Sequence, residues 1–114
     1  SEVTNWSYSD RHVRIKVPEQ ISYEDDPELA MQVMLDACKV SDRVLSEPGA
    51  QARMLSFGDN GINLELRLWL EDPEEGVGSV KSDINMAIWR GFKEKGITIP
   101  YPQRDIHMID KSSL

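Results

Sequence analysis

Ten residues constrain this chain more than any others. Ile62, Leu64, Leu66, Leu68 and Leu70 alternate without a break against Asn63, Glu65, Arg67, Trp69 and Glu71. Strict period-2 patterning of this length is the signature of a strand with one face in a core and the other toward water. A row of leucines needs a cover, because apolar surface left in water costs about 25 cal/mol per Å². The fold must therefore supply helices or a second sheet for one face only.

The neighbouring segments supply the cover. Asn60-Gly61 precedes this strand, and Arg53 to Phe57 reads as its hairpin partner, with Asn and Gly suited to the positive φ of a tight turn. Upstream, Val13, Ile15 and Val17 alternate with His12, Arg14 and Lys16, a second half-buried strand that Pro18 is expected to end. Asp26-Pro27 is a helix start, a carboxylate N-cap followed by Pro at the first helical position. That helix is expected to run to about Val44, with Ala30, Val33, Met34, Ala37, Val40 and Val44 on one face. A second helix is expected from about Ser79 to Lys95, with Val80, Ile84, Ala87, Ile88 and Gly91 inward. Lys93 and Lys95 suit its dipole, and Gly96 suits its C′ position. Ile97 to Ile99 reads as a last strand. The order β-α-β-β-α-β predicts an α+β, ferredoxin-like sandwich: a four-stranded antiparallel sheet with both helices on one face.

Composition narrows the function. With 114 residues there is room for one modest core, and with 13 basic against 20 acidic residues the net charge is −7. Such a charge argues against nucleic acid and anionic membrane surfaces as partners, and the basic residues look scattered along the chain. Cys38 is the only cysteine, so no intrachain disulfide can form. No apolar run approaches the roughly 18–20 residues that span a bilayer.

No catalytic constellation stands out. His12 and His107 are far apart and share no helix with a carboxylate at ligand spacing, so they read as surface or interface histidines and no metal site is expected. The acidic run Glu71-Asp72-Pro73-Glu74-Glu75 lacks the alternating ligands of a calcium loop. The glycine pairs 58/61 and 76/78 have no P-loop Lys-Ser/Thr after them. Cys38 sits mid-helix without a base. The chain is expected to be no enzyme and to need no cofactor.

One pattern exceeds what a monomer requires. At about 100° per residue, Met31, Leu35 and Cys38 form a second apolar stripe on the first helix, and Met86 and Trp89 do so on the second. Trp69 falls on the sheet face opposite the leucines. Met31, Leu35, Trp69, Met86 and Trp89 are therefore candidate subunit-interface residues.

Several segments, in order, resemble one known family. Val3-Thr4-Asn5-Trp6-Ser7, Asp10-Arg11-His12-Val13, the hairpin from Phe57-Gly58-Asp59-Asn60-Gly61 through Trp69, Ser82-Asp83-Ile84-Asn85 with Ala87-Ile88, and Pro100-Tyr101-Pro102-Gln103 are similar to the cytoplasmic carboxyl-terminal region of small-conductance mechanosensitive channels of the MscS type. The resemblance implies that residues 1–10 end a middle β domain, that residues 11–105 form the α/β cytoplasmic domain, and that residues 106–114 are an extended tail. In that tail Ile106, His107, Met108 and Ile109 would give a strand to a small barrel at the base. It implies a homo-heptameric cage with side portals under a pore that releases osmolytes on hypo-osmotic shock, joined to the membrane only through a part not present in these residues. The fold alone leaves one alternative, a free-standing ACT-like ligand-binding regulatory module. The glycine-free loop Pro18 to Glu24 counts against it, because a ligand loop there would want glycine.

Overall fold

The computed structural model describes residues 12–101. Three strands, β1 (Val13–Ile21), β2 (Gln51–Phe57) and β3 (Ile62–Leu70), form an antiparallel sheet in the order β1-β3-β2. Helices α1 (Pro27–Ala37) and α2 (Gly78–Lys95) pack on one face of it. The central strand is the leucine strand. All five of its even-numbered side chains are buried, four of them completely. Ala30, Val33, Met34 and Ala37 of α1 and Val80, Ile84, Ile88 and Phe92 of α2 close over them.

The α+β class, the antiparallel pairing and the two helices on the leucine face are as expected; several details differ. β1 runs through Pro18 to Ile21, with Pro18 opposite Glu65. It is an edge strand among the described residues, so alternate N–H groups point away from β3, and proline loses nothing there. α1 stops at Ala37 rather than near Val44 and tightens into a 3₁₀ turn, Cys38–Val40. The regular α-helical projection ends with Ala37; beyond it Cys38 is buried and Val40 exposed, reversing the expected places of both. The hairpin closes through Gly58 N–H to Gly61 C=O at 2.8 Å, yet neither Asn60 nor Gly61 has a positive φ. Gly61 is needed for room instead: a Cβ there would sit 2.2 Å from the Ile21 carbonyl oxygen.

The expected fourth strand at Ile97 to Ile99 is not one, and the sheet has three strands among the described residues. The reason lies in how α2 ends. Gly96 takes a left-handed φ of 74° and donates to Lys93 C=O, while Ile97 N–H reaches back to Phe92 C=O. This is a complete Schellman stop, and Ile97 is its apolar residue, buried alongside Phe92. Thr98 N–H then goes to the Asp25 carboxylate at 2.7 Å, and only Thr98 C=O is met by sheet-side backbone, from Ser22 N–H. The start of α1 is as expected: Asp26 caps it by accepting from Glu28 N–H at 2.9 Å.

The helices cross closely at Gly91. A Cβ on it would lie 2.5 Å from Cγ1 of Val33. We expect Gly91→Leu to lower stability by about 1–3 kcal/mol through overpacking, measured by urea unfolding, and Val33→Ala in the same chain to recover part of that loss. An unchanged midpoint in Gly91→Leu would contradict the crossing.

Candidate functional site

Burial of the leucine face leaves three surfaces that carry chemistry or apolar area. The first is the outer face of α2. Met86 and Trp89, one turn apart, are 46% and 48% exposed, and Lys93 Nζ lies 5.1 Å from the Trp89 ring centre, over its face. On α1, Met31 and Leu35 are half-buried against the rim of the core. Of the five expected interface residues, these four lie on the helix layer in two pairs, and Trp69 lies apart from them on the other side of the sheet.

The second surface is β2, an edge strand among the described residues. Met54, Leu55 and Phe57 are exposed, Phe57 by 69%. A register shift between Met54 and Ser56 breaks the alternation there. Tyr23 stacks on Phe57 with ring centres 6.3 Å apart, and its hydroxyl donates to Gly58 C=O. These apolar groups escape sequence reading because β2 shows no clean period. The only signal is that Met54-Leu55 places two apolar residues side by side in a strand.

The third surface is the sheet face away from the helices. Pairing sets Arg14 opposite Trp69, Lys16 opposite Arg67, and Arg53 opposite Glu65. Residues that look scattered in sequence thus share one face, and only register brings them together. Arg67 Nε donates to Glu65 Oε1 at 2.6 Å. Glu65 is covered by its neighbours, 8% exposed. The Arg67 hydrogen bond, aided by the charges of Arg67, Lys16 and Arg14, holds its carboxyl below the ordinary value against the opposing effect of burial.

Two other titratable groups are perturbed. Burial raises the Cys38 thiol to about 11, which keeps it neutral and unreactive. Glu19 occupies the leucine-side parity of β1, between Val17 and Ile21 and opposite Leu64. Desolvation raises its carboxyl to about 7. No cluster of His, Cys, Asp or Glu that could hold a metal occurs among the described residues. His107 and the expected barrel residues Ile106, Met108 and Ile109 lie outside them. No helix among the described residues is long and apolar enough to cross a membrane.

The domain is thus a small antiparallel sheet roofed by two helices, with apolar groups left exposed on its surface. Residues 15–99 match the family described as "Mechanosensitive ion channel MscS, C-terminal", and the chain belongs to that family. It is 29% identical over 105 residues to an uncharacterized MscS family protein of Haemophilus influenzae, covering 92% of this chain and 9% of the relative. It is 28% identical over 104 residues to the mechanosensitive channel MscK of Escherichia coli, covering 91% of this chain and 9% of that one. The fold matches a crystal structure of Helicobacter pylori MscS in its closed state with a TM-score of 0.73 at 23% identity, over 83% of this chain and 37% of that one. The chain thus spans less than a tenth of either curated relative. The family is one of channels and not of enzymes, in line with the expectation from sequence, and membership favours the channel reading over an ACT-like sensor.

The Glu19 shift sets a pH dependence. Between the unfolded value of 4.5 and the folded value of about 7 the native state holds the extra proton. Stability therefore falls as pH rises through that window and is level above it. Glu19→Gln is expected to melt higher than the parent at pH 8 and to lose most of the difference at pH 4.5; equal melting offsets at both pH values would rule this out.

Proposed function

We propose that this domain is the cytoplasmic assembly and vestibule element of a mechanosensitive channel, closing with its copies into a ring beneath a pore that releases osmolytes on hypo-osmotic shock. The observation that carries the reading is the pairing of the family match with apolar groups the fold itself leaves outside, Met86 and Trp89 on α2, with Met31 and Leu35 half-buried on α1. A domain this size commits its core to the leucine face, so aromatic and thioether groups on the outer helix surface are available to a neighbouring copy. The ring would be a homo-heptamer, with residues 106–109 contributing to a barrel at its base, and its tie to the membrane would lie in the rest of the protein.

A contact burying well under roughly 1,000 Å² seldom holds by itself. The isolated chain is therefore expected to be a monomer or small oligomer, and the ring to need the remainder of the channel. The test is a full-length channel carrying Met86→Glu and Trp89→Glu. The expected result is a loss of the intact oligomer in detergent and of survival after osmotic downshock. Retention of both would remove the interface role from this face of α2.

A further inference from the structure

We propose that the open sheet face carries a binding site for a small anion with two or more negative charges, built from Arg14, Arg53 and Arg67 around Trp69. The site is a cavity of about 380 Å³ lined by these four residues with Gln51 and the loop residues Glu47, Pro48 and Gly49. That is within the size range of small-molecule sites.

Charge is the first argument. The strands place four cations on this face, Arg14, Lys16, Arg53 and Arg67, against one carboxylate, Glu65. The whole chain carries −7, so the concentration of positive charge runs against its overall composition. Glu47, which also lines the cavity, offsets one more charge and leaves an excess of cations. The second argument is how these groups are occupied. Arg67 is held by Glu65 through Nε, which fixes the plane of the guanidinium and leaves its terminal nitrogens without a hydrogen-bond partner among the described residues. Arg53 donates one Nη to the Gln51 side-chain oxygen at 3.0 Å. Arg14 has no hydrogen-bond or ion-pair partner among the described residues. Three guanidinium groups with donors to spare face one cavity, and a guanidinium fork matches a carboxylate or phosphate two bonds at a time.

The third argument is the wall. Trp69 is half-buried on the central strand directly opposite Arg14. A half-covered indole beside the cations lowers the local dielectric and strengthens their attraction for an anion. Glu65, pinned by Arg67, neutralises part of the repulsion among the cations and does not itself line the cavity. The class of ligand is therefore a compact polyvalent oxyanion. Polycarboxylates and phosphate esters share this chemistry. All the groups that line it come from one chain.

The test titrates the 114-residue chain with pyrophosphate and, separately, with citrate. Calorimetry and tryptophan emission follow binding, and Trp69→Phe assigns the emission change. We expect saturable one-to-one binding of at least one anion at millimolar concentrations or below. Arg14→Gln and Arg53→Gln should each weaken it by roughly tenfold, the scale of one charge-assisted contact, while circular dichroism stays unchanged. Lys93→Gln, on the helix layer, should leave it unaltered. Pyrophosphate alone binding would identify phosphate as the ligand chemistry, and citrate alone a polycarboxylate. Absence of saturation with both anions would overturn the proposal. So would equal weakening by Lys93→Gln, the mark of diffuse attraction.

Discussion

Everything in this domain hangs on the separation of the two faces of β3. Its leucines are completely dry and its odd-numbered residues are polar or amphipathic. Being the central strand, it imposes that division on both neighbours: Val13, Ile15, Val17 and Ile21 of β1 follow the leucines inward, while Arg14 and Lys16 follow Arg67 outward. A slip of one residue would put every leucine into water. The helices have one job in this scheme, to roof a face already defined, and they approach each other closely where Gly91 meets Val33.

The same division explains what is legible in the sequence. The leucine row, the Asp26-Pro27 start and the Gly96 stop are local signals, and each works in the structure as its chemistry requires. The departures come where a local signal has two uses. Ile97 could begin a strand or finish a Schellman stop, and the helix end claims it first, leaving too short a run before Pro100 for a ladder. Cys38 falls off the core face when an ideal helix is carried through it, but the α-helix ends at Ala37 and Cys38 is buried in the turn that follows. The gathering of Arg14, Arg53 and Arg67 is invisible in the sequence because strand register is a non-local property. Arg14 and Arg67 alternate correctly within their own strands, and nothing in the chain says which rows meet.

The two sides of the molecule consequently differ in kind. The helix side exposes soft, apolar groups such as Met86 and Trp89, suited to packing against another protein surface. The sheet side is polar and cationic around Trp69. The proposed assembly surface and the proposed anion site thus fall on opposite faces of a domain only two layers thick, and a substitution on one need not disturb the other.

The places where the chain enters and leaves the domain carry a mechanical meaning. It comes in at Val13, beside Leu70, and goes out past Thr98, beside Ser22 at the far end of the same strand. A nine-residue strand is about 30 Å long, so tension applied between the entering and leaving segments runs lengthwise along β1. The ladder joining β1 to β3 is then loaded in shear, with its bonds sharing the force together. A hairpin pulled from one end opens rung by rung; this geometry makes the domain a stiff link between the segments it joins.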